Sequence, residues 1–251
     1  MNEQTIPHFE SQTEPLPRPA AVAIKLLPGG FLPGYASPCA AGCDLTATTD
    51  IIIRPGETTL LPLGFVMALP PDCEAQIRPR SGLSLRTALR LPNSPGTIDA
   101  DYRDEVGVIL ENTFNPAVLP GLIAADAGLL TKLRTEYRLV PLCELLKENG
   151  IKLPEKSEAD KEIKSTDNSA EAAPFVKSDD PLLAAWLQQS VWVDAAGLPY
   201  GTIHIKAGDR IAQMVVTSVR RAEFDPDTDP NSTGHNRGGG FGSTGIDTTV
   251  T

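Results

Sequence analysis

Residues 50–77 read DIIIRPGETTLLPLGFVMALPPDCEAQI. Three apolar runs, Asp50–Ile53, Thr58–Leu69 and Cys73–Ile77, sit close together, with Pro55-Gly56 between the first two. Proline fixes φ and lacks an N–H, and glycine tolerates positive φ, so the pair marks a turn. Working outward, Pro28-Gly29 and Pro33-Gly34 punctuate the chain after the run Ala21–Leu27. Val106–Glu111 and Arg210–Val219 continue in the same style. Short strands at this cadence predict a β-sandwich or barrel. The composition agrees: 23 prolines and 5% aromatics in 251 residues suit strands and turns better than a helical bundle.

The grammar changes between those last two runs. Leu122–Arg138 carries its leucines and isoleucine nearer to helical than to strand period. Pro141–Asn149, closed by Gly150, reads as a second helix with proline in its first turn. Lys152 to Ser178 is dominated by Lys, Glu, Asp and Ser and reads as a solvated linker. Asp180-Pro181 opens an apolar stretch through Trp186, with Asp180 as its N-cap. A structureless loop this long is uncommon inside a domain. The expected organisation is therefore a flexible N-terminal arm (1–20), a discontinuous core (21–114 and 201–224), a mainly helical or irregular insertion module (115–200), and a flexible C-terminal arm with a Gly-rich motif (225–251).

The formal net charge of −10 disfavours direct nucleic-acid binding, which relies on lysine and arginine against phosphates. A polyanionic ligand then needs a local basic cluster or a metal ion. Cys39, Cys43, Cys73 and Cys143 match no zinc or redox spacing and read as free thiols in a reducing compartment. The stretch Met1 to Pro17 lacks the basic start and apolar run of a signal peptide, and no eighteen-residue apolar run exists. A cytoplasmic protein with no membrane contact is expected.

Five constellations carry candidate chemistry. In Ala41-Gly42-Cys43-Asp44-Leu45 a carboxylate enters a strand, as a turn residue or as a holder of metal-bound water. In Arg78-Pro79-Arg80-Ser81-Gly82-Leu83 a Pro/Gly-bracketed bend offers Arg80, the Ser81 hydroxyl and backbone N–H groups to an anion. Asn93-Ser94-Pro95-Gly96-Thr97-Ile98-Asp99-Ala100-Asp101-Tyr102-Arg103 places Asp99 beside a Pro-Gly turn, where it could act as general base on water. Gly208-Asp209-Arg210-Ile211-Ala212-Gln213-Met214 enters a strand with Ile211 inward, and Arg210 and Gln213 near its end. Arg237-Gly238-Gly239-Gly240-Phe241-Gly242-Ser243-Thr244-Gly245 is either a low-complexity tail or a nest of N–H groups for a polyphosphate, with Phe241 over a base.

These five pieces, in this order, resemble the five motifs of the trimeric dUTPase family. The resemblance covers residues 21–114 and 201–251. It implies an all-β jelly roll of the dUTPase β-clip type, here with the insertion between two strands, assembled as a homotrimer with sites at subunit interfaces. It implies hydrolysis of dUTP to dUMP and pyrophosphate, an activity that limits uracil incorporation into DNA and supplies dUMP for thymidylate synthesis. Asp99 is then the base that activates water against the α-phosphorus. Asp44 holds the hydration shell of a Mg²⁺ carried by the triphosphate. Arg80, Ser81, Gly82 and Gln213 bind phosphates, and Arg237, Ser243 and Thr244 meet the γ-phosphate. The hairpin from Asn93 through Thr97, Ile98 and Asp99 reads uracil, with Gly107 on its return strand. Tyr102 packs on deoxyribose, and Phe241 covers the base. The family usually has one more residue between the arginine and the phenylalanine of its last motif, so either the loop after Arg237 takes a tighter path or Asn236 occupies the expected slot. Two rival readings share the scaffold. A dCTP deaminase or bifunctional deaminase–dUTPase needs a glutamate after the hairpin, and Glu111 is out of that register. A regulatory binding protein would use the insertion as the surface for an unknown partner.

Overall fold

The computed structural model describes residues 19–150, residue 185 and residues 187–234. Its core is a set of antiparallel ladders. β1 (Ala23–Leu26) pairs with β6 (Phe65–Ala68), and β4 (Ile51–Ile53) with β13 (Ile203–Ile205). β10 (Gly107–Asn112) lies between β5 (Thr58–Pro62) and β8 (Leu89–Arg90). The largest sheet has the order β2 (Gly34–Tyr35), β3 (Cys43–Thr46), β14 (Arg210–Ser218), β7 (Cys73–Pro79), β9 (Gly96–Ile98). A six-residue helix, α1 (Ser81–Arg86), follows β7. This is the jelly roll the resemblance implies.

The expected runs became strands, with one division. Thr58–Leu69 is two strands because Gly64, at φ +70°, turns the chain. A Cβ on Gly64 would stand 2.4 Å from Gly30 Cα, so only glycine fits this close approach. Leu45, Ile53, Leu61, Leu63, Phe65, Val106, Val108, Leu110 and Ile211 form the centre of the core. Each such side chain stabilises the fold by roughly 1.5–3 kcal/mol relative to exposure.

Along β10 the inward positions are Val108, Leu110 and Asn112. Asn112 is fully buried at a site where the alternation calls for an apolar side chain. Its Nδ2 donates to the carbonyls of Ile53 (2.9 Å) and Gly201 (2.8 Å), and its Oδ1 accepts from Phe114 N (3.1 Å). All of its hydrogen-bonding directions are met save one lone pair, which makes burial tolerable. Asn112 thereby clasps the points where the chain leaves the core and returns to it.

The insertion is built from α2 (Leu119–Ala125), α3 (Ala127–Glu136), β11 (Arg138–Pro141), α4 (Leu142–Glu148) and β12 (Ser190–Val193). The two expected helices are present, the first divided at Asp126, whose Oδ1 accepts from Gly128 N as the N-cap of α3. The strand pair β11–β12 was not expected from the sequence. Val140, Leu145 and Val193, with Leu142 and Val191 against them, form a small second core. At the neck Phe114, Tyr200 and Tyr137 stack edge-to-face, with centroids 5.6 and 5.2 Å apart. Phe114 lies on Gly201 (φ +90°), where any side chain would collide with the ring. A groove of about 620 Å³ runs beside the neck, lined by Phe114, Leu119, Leu142, Leu145, Trp192 and Tyr200 among others.

The described residues up to Ser218, those of the insertion among them, form one compact unit, and the described residues from Val219 onward belong to a second. The described part of the second unit holds a short 3₁₀ turn, Pro230–Ser232, capped by the Asp229 side chain. The expected linker over 152–178, the stretch from Asp180 to Trp186 (residue 185 apart) and most of both terminal arms lie outside the described residues.

Candidate active site

Four of the five constellations sit on the five-stranded sheet. Asp44 on β3 is in register with Gln213 on β14, which is in register with Arg78 on β7. Arg80 follows the end of β7, at the N-cap of α1, where Pro79 ends the ladder. Asp44 Oδ1 accepts from Arg80 Nε at 2.9 Å, and Asp44 Oδ2 accepts from Arg210 Nη1 at 2.9 Å. Arg80 Nη1 also donates to the Arg210 carbonyl (3.0 Å), so carboxylate and backbone together fix the guanidinium plane. Gln213 Nε2 donates to Pro79 O (2.9 Å), and Gly42 leaves room for that side chain, since a Cβ there would stand 2.9 Å from Gln213 Oε1.

Arg86 is an addition to the residues singled out from sequence, and Arg210, placed there only near a strand end, gains a partner in Asp44. β14 slips register between Arg210 and Ala212, a bulge that buries Ile211 and Ala212 consecutively and leaves Arg210 aimed at Asp44. An arginine flanking an apolar strand reads as a solvated strand entry, and only the bulge makes it a site residue. Arg86 lays its guanidinium over Gly82, 3.2 Å from where a Cβ would be. Two arginines thus clasp one half-buried carboxylate, with Arg86 over the neighbouring Gly82, a local excess of positive charge in an acidic protein. Ser81 and Gly82 open α1 beside this cluster. Burial pushes the adjacent Cys43 thiol above its ordinary value, and its Sγ donates to Met214 O, so it stays a neutral packing group.

The third constellation lies apart. Gly96, Thr97 and Ile98 pair with Ile77, Gln76 and Ala75, which carries Asp99 onward to the Glu74 end of β7. Arg80 is six residues along β7 in the opposite direction, about 20 Å away at roughly 3.4 Å per strand residue. Asp99 is exposed, and no hydrogen bond or ion pair of its carboxylate occurs among the described residues. Asn93 holds its amide over Gly96, and Tyr102 donates its hydroxyl to Glu105 O (3.0 Å). Gly107 lies in the β5–β10–β8 ladder opposite Pro62, with the Leu60 side chain against it. One chain therefore brings Asp44, Arg80, Ser81, Gly82 and Gln213 together and holds Asn93, Thr97, Ile98, Asp99 and Tyr102 elsewhere. Arg237, Phe241, Ser243 and Thr244 lie outside the described residues.

Among the described residues no group of three or more His, Cys, Asp or Glu side chains is arranged to hold a metal. The donor set nevertheless fits Mg²⁺ in one particular way. Mg²⁺ keeps several waters and binds through one or two carboxylates plus substrate phosphates. Asp44, with one lone pair on each oxygen committed to arginine, retains acceptors for such a water.

A jelly roll whose inner strands gather arginines around a carboxylate is a scaffold for a polyanionic ligand. The model of the dUTPase family matches residues 30–118 and 178–245. This chain belongs to the dUTPase family. It is 48% identical over 101 residues to the deoxyuridine 5'-triphosphate nucleotidohydrolase of Methylocella silvestris, covering 38% of this chain and 63% of that protein. With the protein of the same name from Beijerinckia indica it is 48% identical over 107 residues, 40% of this chain and 67% of that one. The third, from Syntrophotalea carbinolica, is 52% identical over 84 residues, 33% of this chain and 57% of that one. The chain thus spans about three fifths of the length of these relatives. Among solved structures, a mutant Staphylococcus bacteriophage 80alpha dUTPase with dUpNHpp superposes with a TM-score of 0.55 at 18% identity, over 90% of this chain and 99% of that one. The dUTPase from phage phi11 of S. aureus gives 0.50 at 17% identity, over 85% and 99%. At these identities the likeness concerns the fold. The family match leaves out residues 119–177, so the family pattern resumes inside the expected insertion, before β12.

Proposed function

We propose that this protein hydrolyses dUTP to dUMP and pyrophosphate in a homotrimer whose sites each combine residues from more than one subunit. The observation that carries the reading is the division of the motifs: an arginine-clasped Asp44 at one end of the β7–β9 ladder and, at the other, an exposed Asp99 whose carboxylate has no partner among the described residues. Neither half suffices. Phosphate binders without a base cannot activate water, and a base without cations cannot stabilise the leaving pyrophosphate. A neighbouring copy that brings its Asp99 to this Arg80 makes a complete site, and exposed Leu60 (62%) and Leu85 (87%) supply apolar surface for such an interface.

In the assembled site Asp99 takes a proton from the water that attacks the α-phosphorus. Arg80, Arg210 and Gln213 hold phosphate oxygens, and the Ser81 hydroxyl with the Gly82 N–H faces the bridge where charge develops. Mg²⁺, carried by the triphosphate and steadied by Asp44 through water, would neutralise phosphate charge. The Asn93–Asp99 hairpin, with Gly107 behind its return, reads uracil, and Tyr102 excludes a 2′-hydroxyl. Arg237, Ser243 and Thr244 meet the γ-phosphate while Phe241 covers the base. The free thiols and the lack of a membrane-crossing helix among the described residues support a cytoplasmic location. Pyrophosphate release measured with dUTP, dTTP, dCTP and UTP, with ammonia measured alongside, tests the reading. dUTP alone should be turned over efficiently, without ammonia. Ammonia from dCTP, or equal turnover of all four, would overturn it.

A further inference from the structure

We propose that Glu105 is a positioning residue for the sugar-facing tyrosine: its side chain ties the loop bearing Asp99 and Tyr102 to Gly64 and so sets the discrimination against ribonucleotides. The inference rests on the reading of Tyr102 as the deoxyribose contact.

The loop leaves β9 after Ile98 and enters β10 at Gly107. Most of its bonds are internal. Tyr102 N donates to Asp99 O (3.2 Å), and Arg103 Nη1 donates to the carbonyls of Ala100 and Tyr102, both at 2.7 Å. These bonds give the loop a shape, and none of them sets its orientation on the core. Glu105 does. Its Oε1 accepts from Gly64 N at 2.8 Å, a residue 41 positions earlier in the chain. Gly64 is itself immobilised, because its carbonyl accepts from Leu27 N (2.8 Å) and its Cα face abuts Gly30. Beside this point Leu63 N donates to Val106 O and Val106 N to Phe65 O, each at 2.9 Å, which locks the return strand.

Glu105 then acts on the ring. The Tyr102 hydroxyl donates to Glu105 O, so the tip of the tyrosine is tied to the backbone of the same residue whose side chain is tied to the core. With the carboxylate bonded, the 105 carbonyl has one orientation and the ring one stand-off. With it removed, the 101–105 segment keeps its internal bonds and pivots about Val106. Excluding a single hydroxyl requires a wall placed within a fraction of an ångström. The attachment therefore governs selectivity more than turnover.

Full-length Glu105→Ala, Glu105→Gln and Tyr102→Phe variants test this by kcat/KM for dUTP and UTP and by hydrogen exchange at the Gly64 amide. Glu105→Ala should lower the preference for dUTP over UTP about tenfold while kcat for dUTP stays within about threefold. Glu105→Gln, which keeps an amide oxygen as acceptor, should retain the preference, and Tyr102→Phe should shift it in the direction of the alanine variant. Gly64 exchange should quicken in the alanine variant alone. An unchanged preference in Glu105→Ala, or a glutamine variant that falls with it, overturns the proposal. A wild-type chain that does not prefer dUTP defeats the reading of Tyr102 instead. In that case the tether is still judged by exchange, and an unaltered Gly64 rate in Glu105→Ala refutes it.

Discussion

Arg80→Ala removes a guanidinium from the Asp44 cluster, and Asp99→Asn removes the base while preserving its size. Losing a general base costs roughly 10²–10⁴ in rate, so the asparagine variant should be nearly inactive alone. The alanine variant should bind triphosphate poorly and be similarly impaired. The structure makes a sharper demand when the two are combined. Asp99 and Arg80 extend from opposite ends of the β7–β9 ladder, about 20 Å apart at roughly 3.4 Å per residue, too far for both to touch one phosphate. Each working site must then take Asp99 from one subunit and Arg80 from another. Going round a cyclic trimer that holds both variants, in either proportion, one of the three interfaces joins an intact Asp99 to an intact Arg80, so about a third of the sites in mixed trimers should work. Co-refolding the variants under distinct affinity tags, isolating doubly tagged trimers and measuring pyrophosphate release reads this number. Doubly tagged trimers no more active than the separate variants would mean that base and cations come from one chain, and the division of the site would be wrong.

Asn112→Ala takes a partner from the Ile53 and Gly201 carbonyls and from the Phe114 N–H; at roughly 1 kcal/mol or more for each, urea unfolding should show a loss of at least about 3 kcal/mol, and a loss under about 1 kcal/mol would remove Asn112 from the clasp. Truncation after Asp225 takes away Phe241, Ser243 and Thr244 and should leave a folded trimer by light scattering with greatly reduced kcat/KM; full activity would reduce the glycine-rich segment to a tail. Deleting 116–198 and joining Asn115 to Pro199 through a short glycine linker keeps the Phe114–Tyr200 contact and the Gly201 carbonyl. That protein should fold and turn over dUTP, and a trimeric but inactive product would make the insertion part of the site.

How far the sequence reveals this depends on whether a local signal exists. The strands around Pro55-Gly56 are legible because turn and strand lie side by side. The division of Thr58–Leu69 is not, since the contact that makes Gly64 turn is with Gly30, a residue distant in the chain. β12 is hidden for the same reason. Ser190–Val193 finds its partner about fifty residues back, and no alternation over four residues announces that. In the site, Asp44, Arg80 and Gln213 are legible from their motifs, whereas Arg210 acquires its place through a bulge. Its charge match with Asp44 was available as a hint, without a register to support it. Gly107 shows the converse: it follows the hairpin in sequence, yet its ladder is the β5–β10–β8 sheet.

The central claim is that water, activated by Asp99, attacks the α-phosphorus of dUTP. Turnover of dUTP in H₂¹⁸O, with the products separated and weighed by mass spectrometry, tests it most directly. The label should appear in dUMP, one ¹⁸O atom per molecule, with unlabelled pyrophosphate. Label in pyrophosphate with unlabelled dUMP, or stepwise release of inorganic phosphate, would place the attack at another phosphorus and contradict the account.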